Sequence, residues 1–195
     1  MFTGIIEAFG IVESIEKLGT NTSFWVSSAI SAGLKVDQSV SHSGVCLTVE
    51  EIKEGKHRVT AIEETLKKTN LSSWKPQTLT NLERCMKMNG RIDGHIVQGH
   101  VDATAVCLQK KDANGSWEFA FQFPAEFASL VIEKGSISIN GISLTVFNVT
   151  HQSFSVAIIP YTYTHTNIHQ VEEGSIVNIE FDMIGKYVNR MLALR

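Results

Sequence analysis

Alternation of polar and apolar residues is the dominant pattern along this chain. Ser136–Ile139 reads polar, apolar, polar, apolar, and Trp117–Phe121 and Phe154–Ile158 follow a similar rhythm. A period of two indicates β-strands, because successive side chains of a strand point to opposite faces. Turn signals such as Glu54-Gly55 and Asn114-Gly115 separate these segments. The sequence therefore predicts many short strands, as in a β-sandwich or β-barrel.

The C-terminal segment departs from this pattern. After Asp182, the residues Ile184, Val188, Met191 and Leu192 recur at helical spacing. Asp182 is a candidate N-cap. A lone helix of about three turns is marginal in water, so its apolar stripe needs a partner, either its own barrels or the same helix of other subunits. Shorter helical pieces are predicted near Ile30–Lys35, Glu64–Trp74 and Ala125–Lys134.

The chain also repeats itself. Residues 39–83 match residues 136–180 at a constant offset of 97, so that GVCLTV at 44–49 aligns with GISLTV at 141–146. Residues 2–7 (FTGIIE) resemble residues 97–102 (VQGHVD) at an offset of 95. A repeat that covers each half of the chain predicts two copies of one domain. Each copy is expected to close into a small Greek-key barrel, because closure removes exposed sheet edges. Turn chemistry at Gly90–Gly94 places the junction there.

Composition and charge narrow the function classes. The net charge is −3 with no basic cluster, which disfavours nucleic acid and anionic membranes as partners. No apolar run approaches the ~20 residues of a membrane span, and MFTGIIEAFG does not read as a secretion signal. The three cysteines share no short spacing, so neither a disulfide framework nor a zinc knuckle is expected. A reducing cytoplasm fits this composition best.

The repeated strand carries the candidate chemistry. Residues two apart share a face, which aligns a glycine, a polar reactive group and a threonine hydroxyl in each copy. This row is Gly44, Cys46 and Thr48 in the first copy and Gly141, Ser143 and Thr145 in the second. A glycine lets a flat ligand approach the backbone. The alternative for Cys46 is packing as a small hydrophobe, as most cysteines do. Cys85 and Cys107 lie in no comparable motif and are interpreted as structural.

Five other polar residues are weaker candidates for a functional role. His95 and His100 lie five residues apart on opposite sides of a strand, without a recognisable third ligand, so no metal site is expected. Lys134 is either a cation at a helix C-terminus before a glycine cap or a group that reaches a ligand or a neighbouring chain. Thr65 and Thr162 follow a strand in both copies, where a hydroxyl either binds a polyol or caps the next helix.

Taken in order, several motifs resemble one family. MFTGIIE, GVCLTV, ETLxxTNL, NLER, GHIVQGHVD, GISLTV, IPYT and VNIEFD…KYV together resemble the trimeric, two-barrel riboflavin synthase family across essentially the whole chain. The resemblance implies an all-β fold with two tandem six-stranded Greek-key β-barrels of similar sequence, plus a C-terminal α-helix. The implied domains are residues 1–94, residues 95–182 and a trimerisation helix at 183–195.

The resemblance also implies an activity. Two molecules of 6,7-dimethyl-8-ribityllumazine dismutate into riboflavin and 5-amino-6-ribitylamino-2,4(1H,3H)-pyrimidinedione, the last step of riboflavin biosynthesis. No metal and no organic cofactor takes part. Each active site holds two substrate molecules between the N-terminal barrel of one subunit and the C-terminal barrel of another. The implied partners are two further copies of the chain in a homotrimer, and lumazine synthase.

Site residues follow by position from the resemblance. One lumazine is expected to contact Gly4, Ile5, Ile6, Ser143, Leu144, Thr145, Ala157, Ile158, Ile159, Pro160, Tyr161 and Thr162. The other is expected to contact Cys46, Leu47, Thr48, Thr60, Ala61, Ile62, Glu63, Glu64, Thr65, Gly99, His100 and Val101, with Lys134 reaching it from a neighbouring subunit. The candidates for the chemistry are Ser39, Cys46, His100, Ser143 and Asp182. Among these, Asp182 is expected to orient or polarise the Ser143 hydroxyl.

Two alternatives and one departure from the family pattern stand beside this interpretation. A non-catalytic lumazine or flavin carrier of the same fold is the first alternative, and a flavin-binding barrel like that of ferredoxin-reductase-type enzymes is the second. The gap-free repeat and the missing dinucleotide motif disfavour the second. Asn140 stands where the family usually has Asp, and it is interpreted as a turn residue that replaces it.

Overall fold

A computed structural model describes residues 1–194, which form two closed six-stranded antiparallel barrels followed by a helix. This confirms the predicted fold class. The first barrel contains β1 (Ala8–Leu18), β2 (Asn21–Ser27), β3 (Ser39–His42), β4 (Val45–Lys53), β5 (Lys56–Ala61), α1 (Glu63–Lys68) and β6 (Leu79–Arg84). The second contains β7 (Ala103–Asp112), β8 (Trp117–Gln122), β9 (Ser136–Ile139), β10 (Ile142–Phe147), β11 (Ser153–Ile158), α2 (Pro160–His165) and β12 (Ile176–Phe181). Short 3-10 helices cover Ser31–Gly33, Asn70–Ser73, Ala125–Leu130 and Asn167–Gln170.

Both barrels have the same strand order. The first closes in the order β1-β2-β5-β4-β3-β6, and β7–β12 repeat that order in the second. The elements from β3 to β6 return as β9 to β12 with every boundary shifted by 97 residues, apart from the end of the longer strand β4. The sequence repeat is therefore a structural repeat. The strands are less uniform than the pattern suggested, because β1 runs for 11 residues with a register shift between Val12 and Ser14.

Alternation along β4 separates the core from the chemistry. Val45, Leu47 and Val49 point into the first barrel and are nearly fully buried, whereas Cys46 is half-buried and Thr48 is exposed. The second core is richer in aromatic residues, with Phe119, Phe121, Phe123, Phe154 and Phe181 buried together. Burial of these faces drives closure of each barrel, at roughly 25 cal/mol per Å² of apolar surface. The row of Cys46 and Thr48 on β4 therefore lies outside the barrel core.

The C-terminal helix α3 spans Met183–Leu192. Asp182 caps it as predicted, since its side chain accepts a hydrogen bond from the Ile184 N–H at 3.0 Å. Lys186 ties the helix to the second barrel through Asp102, with Nζ–Oδ2 at 2.7 Å. The apolar stripe stays uncovered, since Ile184, Val188, Met191 and Leu192 each expose more than half of their surface. Within residues 1–194 no helix is both long and apolar enough to cross a membrane.

Lys134 differs from its expected position at a helix end. The 3-10 helix stops at Leu130, four residues earlier, and Lys134 has a φ of +62° in a turn whose N–H bonds the Val146 carbonyl. Thr65 and Thr162 likewise lie inside the first turn of α1 and α2, whose N-termini have no side-chain cap. Lys134 is therefore not at a helix C-terminus, and neither Thr65 nor Thr162 is an N-cap.

Buried asparagines join the two barrels. The Asn81 side chain donates to the Asn140 carbonyl at 2.9 Å, and its repeat partner Asn178 donates to the Ser43 carbonyl at 2.9 Å. Asn140 has a φ of +47°, and its side-chain oxygen accepts the Asn178 N–H at 2.9 Å. Asn140 is thus a turn residue held in the barrel junction. Because buried amides must be paired, this reciprocal network fixes the two barrels about an approximate twofold axis.

A pair of histidines lies inside the first barrel. His42 and His57 are fully buried with their Nε2 atoms 2.8 Å apart. The His42 Nδ1 faces the Val40 carbonyl at 3.0 Å and the His57 Nδ1 faces the Ser31 hydroxyl at 2.8 Å. These contacts fit one chain of hydrogen bonds, in which the Ser31 hydroxyl donates to His57, His57 donates to His42, and His42 donates to the Val40 carbonyl. In this chain both imidazole rings are neutral. Burial lowers the pKa of His42 to about 3 and that of His57 to about 4.

This pair predicts acid sensitivity of the fold. Both pKa values are depressed below the ordinary value of about 6.5, so the unfolded chain binds more protons below that pH and stability falls as pH decreases. Between pH 7 and pH 5 the free energy of unfolding should drop by about 4 kcal/mol from this pair. The second barrel has Ile139 and Phe154 at these two positions. Denaturant titrations at both pH values should show a smaller loss in the Ser31→Ala/His42→Ile/His57→Phe variant, and an equal loss would contradict the assignment.

Candidate active site

Two arms cross between the barrels. We call residues 2–7 the first arm and residues 97–102 the second arm. Phe2 and Val97 pair as an antiparallel bridge, with N–H to O distances of 2.7 and 3.0 Å. From this crossing each arm reaches the outer face of the other repeat's barrel. The Gly4 carbonyl accepts the Ser143 N–H at 2.8 Å, and the Gly99 carbonyl accepts the Cys46 N–H at 2.9 Å.

Glycine is required at both contacts. A Cβ on Gly4 would lie 2.5 Å from the Ser143 Cβ, and one on Gly99 would lie 2.6 Å from the Cys46 Cβ. Both glycines also have positive φ values, +78° and +81°, which other residues rarely adopt. The arms therefore lie flat against the two candidate reactive groups. We call the surroundings of these groups the Cys46 site and the Ser143 site.

The Cys46 site contains a cavity of about 250 Å³. Its lining combines β4, the helix α1 and the second arm: Val45, Cys46, Glu64, Thr65, Lys68, Thr69, Gly99, His100 and Val101. Six of these nine were expected from the sequence. Val45, Lys68 and Thr69 were not, although they lie inside the GVCLTV and ETLxxTNL motifs beside residues that were. Hydroxyl, ammonium and carboxylate groups around an apolar floor suit a flat heterocycle with a polyol chain.

Cys46 is a neutral thiol in this setting. Burial raises its pKa, and a hydrogen bond from the neighbouring Ser39 side chain opposes that rise in part. The thiol is therefore protonated at neutral pH, and it can donate a hydrogen bond or a proton to a bound ligand. Ser39 also accepts the Cys85 thiol at its carbonyl, with Sγ–O at 3.4 Å. Ser39 thus lies beside the reactive row, whereas Cys107 is buried in the second core.

The Ser143 hydroxyl has a histidine partner that the sequence analysis missed. His95 Nδ1 lies 2.7 Å from Ser143 Oγ. Burial lowers the pKa of His95, and the nearby Asp182 carboxylate opposes that fall. Among the described residues, the Asp182 side chain bonds the Ile184 N–H and makes no hydrogen bond with Ser143. The Asp182 carboxylate therefore influences Ser143 through its charge near His95, and the expectation that it orients or polarises the Ser143 hydroxyl stays a prediction.

This arrangement can move a proton at Ser143. A neutral His95 with its proton on Nε2 accepts the hydroxyl proton at Nδ1, which is the geometry of an activated oxygen nucleophile or of an activated water in its place. The Asp182 charge stabilises the imidazolium that would form. At the Cys46 site the cavity lining includes the exposed His100 of the second arm. The two sites thus have related shapes and unequal proton chemistry.

Several expected contact residues point away from the ligand face. Leu47, Ala61 and Ile158 have their side chains in the barrel cores, so only their backbone groups can meet a ligand. Leu144 is partly buried against the second core. Others are exposed to solvent: Ile5, Thr48, Ile62, Glu63, Thr145, Ala157, Ile159, Pro160 and Tyr161. Three further expected residues are half-buried: Ile6, Thr60 and Thr162. Lys134 does not line the Cys46 cavity, and its Nζ lies 5.6 Å from the centre of the Phe147 ring.

Comparison with known proteins identifies the family. The lumazine binding domain model matches residues 3–85 and again residues 98–182. Riboflavin synthase of Actinobacillus pleuropneumoniae is 39% identical over 193 residues, which cover 98% of this chain and 90% of that protein. The riboflavin synthases of Bacillus amyloliquefaciens and Bacillus subtilis are 36% and 37% identical over the same shares. The chain belongs to the riboflavin synthase family.

Solved structures confirm the fold. LumP complexed with riboflavin superposes with a TM-score of 0.87 at 19% identity, covering 93% of this chain and 99% of LumP. LumP complexed with 6,7-dimethyl-8-(1'-D-ribityl) lumazine gives a TM-score of 0.85 at the same identity and coverage. At that low sequence identity, the similarity to LumP supports only the two-barrel fold. The expected membership of the riboflavin synthase family rests on the full-length relatives and is confirmed by them.

Cysteine replacements test whether Cys46 takes part in the chemistry of a riboflavin synthase. Cys46→Ala should lower turnover by about 10²-fold, the usual effect of a positioned proton-transfer group. Cys85→Ala and Cys107→Ala are matched controls, because neither side chain lines the Cys46 cavity. Steady-state rates of the three folded variants provide the measurement. Equal turnover rates in the three variants would indicate that Cys46 only packs against its neighbours.

Proposed function

We propose that this chain converts two molecules of 6,7-dimethyl-8-ribityllumazine into riboflavin and 5-amino-6-ribitylamino-2,4(1H,3H)-pyrimidinedione. One observation carries the proposal. The two repeats present near-equivalent ligand faces, each completed by an arm of the other, with a thiol at one and a histidine-bonded hydroxyl at the other. A reaction between two copies of one substrate needs two similar sites. Its two substrates have different roles, so those sites must also differ.

Holding two substrates together supplies most of the catalysis. A bimolecular step between bound reactants becomes effectively unimolecular, which contributes up to about 7–11 kcal/mol to a well-oriented reaction. The remaining chemistry is a proton transfer from the acidic C7 methyl of one lumazine and an addition at C7 of the other. We assign the addition to the Ser143 site, where His95 can take a proton from the hydroxyl or from a water beside it. Cys46 and Ser39 then serve the second lumazine.

We also propose that the active site is shared between subunits of a homotrimer. The uncovered stripe of α3 supports this, because contiguous exposed apolar surface marks an interaction site. A cavity of about 420 Å³ lies beside it, lined by Leu130, Ile132, Ile184, Val188 and Leu192 among others. Trimer packing through α3 would bring the Cys46 site of one subunit to the Ser143 site of another. Lys134, which does not line the Cys46 cavity of its own subunit, would reach that cavity from a neighbour.

The remaining expectations stay predictions. A cytoplasmic location agrees with the reducing chemistry that three free cysteines require. The domain limits 1–94, 95–182 and 183–195 follow the repeat. The association with lumazine synthase has no structural support in the described residues and rests on the resemblance alone.

The decisive experiment incubates the purified protein with the ribityllumazine alone and follows riboflavin absorbance. Riboflavin should accumulate at half the rate of lumazine consumption, because two substrates give one riboflavin. Added chelator should leave the rate unchanged. Tight binding of the lumazine without any turnover would overturn the enzymatic proposal and favour a lumazine or flavin carrier.

A further inference from the structure

Two buried carboxylates hold the arms. Glu83 on β6 and Glu180 on β12 are repeat partners, exposed by only 3% and 2%. Among the described residues neither forms an ion pair with a lysine, arginine or histidine. Burying a carboxylate is costly unless hydrogen bonds compensate it. Such a pair, kept at the same position in both repeats, therefore calls for a specific partner.

The partner in each case is the backbone of an arm. Glu83 accepts hydrogen bonds from the Thr3 N–H at 2.6 Å, the Thr3 hydroxyl at 2.7 Å and the Gly4 N–H at 3.0 Å. Glu180 accepts three backbone N–H groups, those of Gln98 at 2.7 Å, Gly99 at 2.9 Å and His100 at 2.9 Å. Each carboxylate thus fixes the residues of the arm that touch the reactive group.

The connection crosses from one barrel to the other. Glu180 belongs to the second barrel, where the strand register places it in one cross-strand row with Ser138 and Ser143. The second arm that it holds, however, serves the Cys46 site of the first barrel through Gly99. Glu83 is likewise in a row with Ser41 and Cys46, yet the first arm that it holds serves the Ser143 site. Each carboxylate therefore lies in the strand row of one site and binds the arm that contacts the other site.

We propose that Glu83 and Glu180 are positioning residues that act across the barrels, Glu83 on the Ser143 site and Glu180 on the Cys46 site. This inference rests on the proposed function, since it assumes that the two sites bind lumazines or flavins. Each carboxylate holds the flat arm at contact distance from the reactive strand, so a ligand meets a preorganised edge and loses little free energy in ordering it. A merely structural carboxylate would instead affect its own barrel first.

Site-resolved binding of riboflavin tests the assignment. Riboflavin is used because, as the product of the proposed reaction, it should occupy the sites without turnover. Occupancy of the Cys46 site is read from protection of Cys46 against alkylation, resolved by peptide mass spectrometry. Occupancy of the Ser143 site is read from the fluorine NMR signal of 5-fluorotryptophan at Trp117, which pairs with Ile158 and stacks on Tyr163 of α2 at 3.7 Å.

Glu180→Gln should weaken riboflavin binding at the Cys46 site by roughly 10- to 100-fold and leave the Ser143 site unchanged, and Glu83→Gln should do the reverse. The range is that of one lost hydrogen bond to a charged group. Thr3→Val removes one bond to Glu83 without altering a barrel strand, so it should weaken only the Ser143 site, several-fold. Glu51→Gln and Glu172→Gln change exposed carboxylates of the two barrels and are controls that should shift neither site.

Three results would overturn the inference. In the first, each Glu variant weakens the site of its own barrel. In the second, both sites weaken together with the stability of the fold, while Thr3→Val has no site-selective effect. In the third, binding at both sites stays unchanged. If the unaltered protein binds riboflavin at neither site, the proposed function fails and this inference fails with it, whereas the first three results leave the proposed function intact.

Discussion

Removal of residues 186–195 should abolish turnover while the shortened chain still folds and binds ligand. The deletion takes away most of α3, including Val188, Met191 and Leu192, which are each more than half exposed. If α3 joins subunits, the particle should shrink to a monomer in sedimentation. Turnover should then fall by at least about 10³-fold, since two bound substrates are no longer held against each other.

Ligand binding separates this outcome from simple misfolding. Both arms and both reactive strands remain in the shortened chain, so riboflavin should still bind, with some loss at the Cys46 site because Asp102 loses its Lys186 partner. Removal of Leu194 and Arg195 alone is the control, since it leaves α3 whole. A monomeric shortened chain with full activity would contradict both the intersubunit site and the role of the helix.

Replacing one glycine of an arm should have the second largest effect. In Gly99→Ala the new methyl group would lie 2.6 Å from the Cys46 Cβ and 3.0 Å from the Cys46 backbone nitrogen, so the second arm must move. A displacement of about 1 Å at a reacting centre is enough to cost about 10²-fold in rate. Steady-state turnover should therefore fall by at least that factor, with the fold preserved in circular dichroism.

A matched glycine isolates this steric effect from backbone strain. Gly55, in the turn between β4 and β5, has a φ of +73° close to the +81° of Gly99, but a Cβ there meets nothing within 4 Å. Gly55→Ala should lose about 1–2 kcal/mol of stability from its left-handed backbone and keep its turnover. Full activity of Gly99→Ala, or equal losses in both variants, would show that the arm contact is not needed.

The repeat made the architecture predictable from sequence. Period-two alternation gave strands, and the 97-residue offset required that whatever one half forms, the other half forms too. The same alternation correctly placed Leu47 on the core face of its strand and Cys46 on the opposite face. The N-cap at Asp182 was also predictable, because an N-cap depends on residues that are adjacent in the chain. These features are local, or are copied from one half to the other.

Contacts made by the crossing of the arms were not predictable. His95 lies outside the stretch that the repeat aligns, so comparison of the copies gave it no counterpart, and its contact with Ser143 spans 48 residues. The position of Asp182 relative to Ser143 was not predictable for a related reason, because the cap geometry directs that carboxylate to the Ile184 N–H and leaves its charge near His95. The repeat aligns Glu83 with Glu180 but does not show what either side chain binds. Only the path of the arms shows what they hold.

The crossed arms also bear on how such a protein arose. Each reactive strand is completed by an arm from the other repeat, so a chain with a single repeat could complete its site only by pairing with a second copy. The simplest ancestor is therefore a homodimer of single-repeat chains that exchanged their arms about a true twofold axis. Fusion of two such genes kept that geometry but released its two halves from identical sequence. A cysteine and a serine, which one gene could never have encoded at the same position, then became able to specialise.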